Sequence, residues 1–209
     1  MEEAAERVLA EFEIREETER KVKANLSPAE NASRYDQFLH AIGRPAAQLL
    51  DLLIRETRPK TILELGCSYG YSTIWLAAAA RAVGGRVISL ELHSCKVESA
   101  RAALARAGLD DQVEIRLGDA REIIPTLSGP FDFVLLDLCK DHYVACFDLF
   151  SPKLSPGALV IADNMLSPPG WRPQATRYRA HVHAIQGIES VLLPVGGGLE
   201  VSRFAPDGP

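Results

Sequence analysis

The sequence predicts a doubly wound α/β domain: a mostly parallel seven-stranded sheet closed by an antiparallel C-terminal hairpin, behind an N-terminal helical extension. Three observations predict it. From about residue 60 onward, short apolar strands alternate with helical stretches, the pattern of βαβ units and a parallel sheet. Several of these strands end in a carboxylate or a glycine turn. The last two strands are separated only by Gly196-Gly197-Gly198, a link too short for a parallel crossover, so they form a hairpin.

The elements follow in order. Residues 2–24 are rich in Glu, Ala, Arg and Lys, with Val8, Leu9, Phe12 and Arg15 at helical spacing, and read as an exposed amphipathic helix. Ser27-Pro28 breaks it. A second helical stretch is expected over 29–41, and a third opens at Pro45 and ends near Glu56. Residues 1–57 are thus the extension and 58–209 the α/β domain. In the domain, strands are expected at Lys60–Leu65, Arg86–Glu91, Gln112–Leu117, Phe131–Asp137, Ala158–Asp163, Ile188–Pro194 and Gly198–Phe204. Helices are expected at 71–82, 94–107, 119–127, 141–150 and 173–184.

Composition removes several classes of function. The 209 residues are 47% apolar and 24% charged, as in a soluble globular protein. The longest mostly apolar run, Ile74–Ala80, falls far short of the roughly 20 residues of a membrane span. The start MEEAAERVLAEFE is acidic from residue 2, unlike a secretory signal or a transit peptide, so a cytoplasmic location is expected. Residues 1–20 hold eight Glu and three Arg, which accounts for the whole net charge of −5. With no basic stripe, general nucleic-acid binding is disfavoured. Cys67, Cys95, Cys139 and Cys146 form neither a CxxC pair nor a zinc-ligand spacing, and are expected as free buried thiols.

Ligands of such sheets bind beyond the carboxyl ends of the strands. The first strand ends in Glu64-Leu65-Gly66-Cys67-Ser68-Tyr69-Gly70, with Tyr71 and Ser72 opening a helix whose first-turn N–H groups suit a carboxylate. The nicotinamide fingerprint fails, because Ser68 and Tyr71 stand where it needs glycine. Glu91 ends the second strand, where an acid takes a ribose diol. Asp119, before Ala120, is placed either to accept from an adenine amino group or to cap the next helix. Together these ends describe a nucleoside with a carboxylate tail and no phosphate loop. Asp137 and Asp163-Asn164 end the next two strands. That all-oxygen set suits a hard divalent cation such as Mg²⁺, since two close carboxylates repel unless a cation or a proton intervenes.

These residues carry a resemblance. Over roughly 38–204, the chain resembles the cation-dependent class I S-adenosylmethionine O-methyltransferases, the catechol and caffeoyl-CoA O-methyltransferase group. The resemblance rests on LELGCSYGYST (63–73), SLEL (89–92), FDFVLLDLCKDHY (131–143), ALVIADNML (158–166) and GGLEVS (197–202). It implies a class I methyltransferase fold with S-adenosylmethionine as methyl donor and Mg²⁺ or another divalent cation held by Asp137, Asp163 and Asn164. It implies Lys140 as the catalytic base. The donor would be held by Ile42, Glu64, Gly66, Tyr71, Ser72, Glu91, Asp119, Ala120 and Asp137. Glu200 would orient the acceptor hydroxyl that is not methylated. The catechol enzymes carry His and Trp after the first metal Asp, where this chain has Leu138 and Cys139. Trp171, with Pro168-Pro169, is expected to replace that wall. The acceptor would be a small catechol-like phenol, and a homodimer is expected, with residues 1–30 as an arm for a partner. The alternatives are an RNA nucleotide O-methyltransferase, for which Arg172, Arg177 and Arg179 are the nearby cations, and a donor-binding protein without catalysis.

Overall fold

The computed structural model describes residues 1–34 and 37–205. The N-terminal helix α1 (Glu3–Lys23) lies on the domain, with Ala5, Val8 and Leu9 buried in its core. The expected exposed arm is therefore corrected: its apolar stripe is used within its own chain. The acidic excess explains part of the docking. Glu6 and Glu13 pair with Arg44, Glu11 with Arg106 and Glu2 with Arg81. Such exposed pairs each contribute little stability, but several together fix how the helix lies.

Helix α2 (Pro28–Ser33) opens on a capping box. Glu30 accepts from the backbone and hydroxyl of Ser27, and Glu30 N–H donates to Ser27 Oγ. The helix expected to continue to Ala41 stops at Ser33. Tyr35 and Asp36 lie outside the described residues, and 39–43 runs without helix, with His40 at φ +49°. Helix α3 (Arg44–Thr57) starts with Pro45 in its first turn, as the sequence predicts.

The domain then alternates β1 (Thr61–Leu65), α4 (Tyr71–Val83), β2 (Arg86–Glu91), α5 (Ser94–Ala107), β3 (Val113–Leu117), α6 (Ala120–Ile123), β4 (Phe131–Leu136), α7 (Tyr143–Phe150), β5 (Leu154–Ala162), α8 (Arg172–His183), β6 (Ile188–Leu193) and β7 (Leu199–Phe204). The helix expected over 119–127 shortens to α6, followed by a 3₁₀ turn at Ile124–Thr126 that contains Pro125. The sheet order is β3-β2-β1-β4-β5-β7-β6. Strands β1 to β5 pair in parallel, and β7 lies antiparallel to β5 and β6. This is the predicted seven-stranded sheet with its closing hairpin. Strand order reverses between β1 and β4, the crevice where such sheets bind ligands. One apolar core joins α1, α3, α4 and α5 to one face. The other joins α7 and α8 to the opposite face.

Two local features set the geometry of the crevice. Glu64 and Ser89 are register partners on β1 and β2. The Glu64 carboxylate is fully buried and accepts from Ser72 Oγ at 2.6 Å, Thr73 Oγ1 at 2.7 Å and Ser89 Oγ at 2.6 Å. It thereby fastens the start of α4 to both strands. Gly66, at φ +96°, crosses the end of β4 so closely that a Cβ would lie 2.2 Å from the Asp137 carbonyl oxygen. Only glycine allows that crossing.

Gly66→Ala should therefore cost about 3 kcal/mol or more in a thermal or denaturant unfolding measurement. Gly108→Ala, at φ +67° with open space around its Cβ, should cost only about 1–2 kcal/mol. Equal costs would contradict the close approach. Glu64 also makes a pH prediction. Burial pushes its carboxyl up from 4.5 to about 7, against the pull of its three hydroxyl donors. Between those values the folded chain binds the extra proton. The contribution of this group is complete below the unfolded pKa and is lost as pH rises through about 7. Between about pH 5 and pH 8, the melting temperature of Glu64→Gln should fall less steeply with pH than that of the parent. Parallel curves would assign the proton elsewhere.

Candidate active site

The predicted donor side lies at the ends of β1, β2 and β3. Glu91 is 7% exposed, and both of its oxygens are engaged from the protein side. Oε1 accepts from His93 N–H at 3.0 Å and lies 3.1 Å from His93 Nδ1, while Oε2 accepts from Ser68 N–H at 2.9 Å. The acid at the predicted ribose position is thus held in one orientation. His93, two residues after Glu91 in sequence, is one of the groups that orient it.

Three other predicted donor residues hold protein contacts of their own. Ser72 spends its hydroxyl on Glu64, which leaves its first-turn N–H facing the loop end. Tyr71 is buried, and its O–H donates to Glu13 of α1 at 2.9 Å. Asp119 is the N-cap of α6, accepting from Arg121 N–H at 2.8 Å, and its carboxylate also takes the Arg121 guanidinium. Those bonds hold its carboxyl down to about 2, so it is anionic at any working pH. Ala120 opens α6 directly after it. Ile42 is buried, and its carbonyl oxygen lies against Gly196 of the hairpin turn.

The residues predicted to hold the cation and the base lie at the ends of β4 and β5. Leu136 pairs with Ala162, so the next residues, Asp137 and Asp163, leave neighbouring strand ends. Asp163 is 1% exposed, and its Oδ1 is buried without a hydrogen-bond partner. Burial first, then the adjacent Asp137 charge, push its carboxyl well above the usual carboxylate range, with Lys140 pulling the other way. Lys140 is buried in the 3₁₀ turn Lys140–His142. Its Nζ donates to Asn164 Oδ1 at 2.6 Å and to Asp137 Oδ1 at 3.3 Å. Asn164 adopts a left-handed backbone, φ +59°. Gly197 packs on it so tightly that a Cβ would lie 2.6 Å from Asn164 Nδ2. Tyr143 is buried and donates its O–H to the Asp163 carbonyl at 3.2 Å. Asp137, Lys140, Asp163 and Asn164 therefore converge. Among the described residues no group of three or more His, Cys, Asp or Glu is arranged so that it could hold a metal ion. The set consists of two carboxylates and an amide, the oxygen donors that suit a hard cation.

Glu200 is placed differently from the open acid the resemblance implies. It is fully buried on the face of β7 that meets α8. Arg179 Nε donates to Oε2 at 2.7 Å, Ser190 Oγ donates to Oε1 at 2.8 Å, and His183 Nε2 lies 2.6 Å from Oε1. Although burial opposes ionisation, the bonds from Ser190, His183 and Arg179 hold its pKa below the usual carboxylate value. Arg179 is thereby removed from the arginine cluster, leaving Arg172 and Arg177 exposed. Trp171 sits half-buried at the start of α8, ending the turn Pro169–Trp171. The thiols divide: Cys67 and Cys146 are buried as expected, whereas Cys95 and Cys139 are exposed. No helix among the described residues is long and apolar enough to cross a membrane.

Comparison with known proteins gives one answer. The family described as methyltransferase domain matches residues 63–165. The catechol O-methyltransferase of Niastella koreensis is 41% identical over 171 residues, covering 76% of this chain and 77% of that protein. The catechol O-methyltransferase of Sus scrofa is 32% identical over 155 residues, covering 71% and 80%. Among solved structures, the O-methyltransferase TomG from Streptomyces achromogenes, in complex with S-adenosylmethionine, superposes with a TM-score of 0.76 at 27% identity, covering 98% of this chain and 91% of that one. The O-methyltransferase of Bacillus cereus, in complex with S-adenosylhomocysteine, gives 0.75 at 26% identity with the same coverage. Likeness of this extent, in sequence and in fold, makes the chain a member of the catechol O-methyltransferase family of class I, S-adenosylmethionine-dependent O-methyltransferases.

Proposed function

We propose that this O-methyltransferase acts on one hydroxyl of a small vicinal dihydroxy aromatic, with a divalent cation held by Asp137, Asp163 and Asn164. The observation that carries the reading is the buried, unpartnered Oδ1 of Asp163 beside a second carboxylate. An unmatched buried carboxylate oxygen is costly, and an oxygen-loving cation is what such a pair lacks. When bound, the cation would supply Lewis acidity and a fixed anchor for two adjacent oxygens. A phenol ionises only near pH 10 unaided, as tyrosine shows, so that help matters at neutral pH.

The chain's own groups supply the rest. Lys140 Nζ, already among the proposed ligands, must first release a proton to solvent; as the neutral amine it then takes the proton of the hydroxyl to be methylated. Glu91 takes the ribose hydroxyls of the donor on the lone pairs that Ser68 and His93 leave free. The first-turn N–H of Ser72 faces the donor's carboxylate. Gly66, by crossing close to Asp137, brings donor and acceptor sides together, which orients the methyl group along the line of attack. Glu200, fully buried and engaged by Arg179, Ser190 and His183, ties β7 to α8 behind this site and is given no contact with the acceptor. Leu138 and Cys139 make the near wall, and Trp171 the far one.

Turnover of a catechol panel with S-adenosylmethionine should require Mg²⁺, vanish with EDTA and return on adding Mg²⁺ in excess. Turnover indifferent to EDTA would sink the cation site. Lys140→Ala should lower kcat by about 10²- to 10⁴-fold while leaving the Kd of S-adenosylhomocysteine within about twofold by calorimetry. A variant that keeps kcat within about tenfold would remove Lys140 from the role of base.

A further inference from the structure

The segment between α2 and α3 is gripped from both sides at one residue, Leu39. Glu19 of α1 accepts from Leu39 N–H through Oε2 at 2.7 Å. The Leu39 carbonyl accepts from Ser68 Oγ at 2.8 Å. Ser68 N–H in turn donates to Glu91 Oε2 at 2.9 Å. A continuous line of contacts therefore joins the N-terminal helix to the acid at the end of β2.

Arg15 doubles the grip. Its Nε donates to Glu19 Oε1 at 2.6 Å, and its Nη2 donates to the Gln37 carbonyl at 3.1 Å. Its guanidinium lies 3.9 Å from the centre of the Tyr69 ring, and Tyr69 O–H reaches the same Gln37 carbonyl at 3.4 Å. Two strained residues flank the contact. His40 at φ +49° and Ser68 at φ +47° hold left-handed backbone without being glycine. Such conformations persist where surrounding contacts over-determine them. Leu39 itself is 1% exposed, so its peptide has no water to fall back on.

We infer that Arg15 and Glu19 are positioning residues for the methyl donor. They hold segment 37–42 against the 66–70 loop, and through Ser68 they fix the Glu91 carboxylate in the orientation that receives the ribose. The inference rests on the reading of Glu91 as the ribose acid. It gives the acidic N-terminal helix a task in donor binding, carried by Glu19 and Arg15.

The test uses the full chain, with S-adenosylhomocysteine as calorimetric probe and S-adenosylmethionine with catechol for kinetics. Glu19→Ala should weaken probe binding about tenfold, the equivalent of one charge-assisted hydrogen bond. It should raise the donor KM in step, with kcat at saturating donor and the acceptor KM within about twofold. Glu19→Gln, whose amide oxygen still accepts from Leu39 N–H, should recover most of the affinity. Ser68→Ala, which releases the other side of Leu39, should weaken binding too, and the double variant should lose less than the product of the two losses. A merely structural role would lower the melting temperature without this split between donor and acceptor. A probe Kd within about twofold of the parent in Glu19→Ala, while Glu91→Ala weakens it tenfold or more, would overturn the inference alone. An unchanged Kd in Glu91→Ala would overturn the donor-site reading and the inference with it.

Discussion

Two carboxyl groups finish neighbouring parallel strands, and that end of the crevice is arranged around keeping them there. The register that pairs Leu136 with Ala162 leaves Asp137 and Asp163 as the next residues of each strand. Tyr143 fixes the Asp163 backbone from below, and Lys140 brings one positive charge from the turn above. Asn164 bends left-handed beside them, held by a hairpin turn that approaches within the room only a glycine leaves. One lysine cannot satisfy both carboxylates, and the Asp163 oxygen without a partner is the residue of that imbalance.

The same crossing of chains couples the two halves of the crevice. Gly66 rides over the Asp137 carbonyl, so the loop after β1 and the end of β4 cannot move apart independently. Glu64 anchors α4 beneath that loop, and the hairpin turn reaches both Ile42 and Asn164. A rigid frame of this kind suits an in-line transfer, in which orientation supplies much of the rate.

Much of this was legible in the sequence. Strand ends and glycine turns announce themselves because burial on both faces forces continuous apolar runs such as FDFVLL, and the residues that follow are the ones presented to the crevice. Asp137, Asp163 and Asn164 were found that way and Lys140 through the resemblance, and the structure brings the four together. What the sequence hid was partnership at long range. Nothing local marks Glu19 as the acceptor for Leu39, and that contact helps to hold 39–43 out of the helix its composition favours. Nor does spacing reveal that Arg179 and His183 close over Glu200, or that Arg121 covers Asp119. The N-terminal helix misled for the same reason: its charges read as a solvated face until Arg44, Arg81 and Arg106 are placed opposite them.

The account turns on whether the paired carboxylates hold a cation. Titration of Mn²⁺ followed by electron paramagnetic resonance asks this without turnover or acceptor. The account predicts about one tight ion per chain in the parent protein, with affinity reduced at least about tenfold in Asp163→Asn. Equal Mn²⁺ affinity in the two proteins, or no binding to the parent, would contradict it.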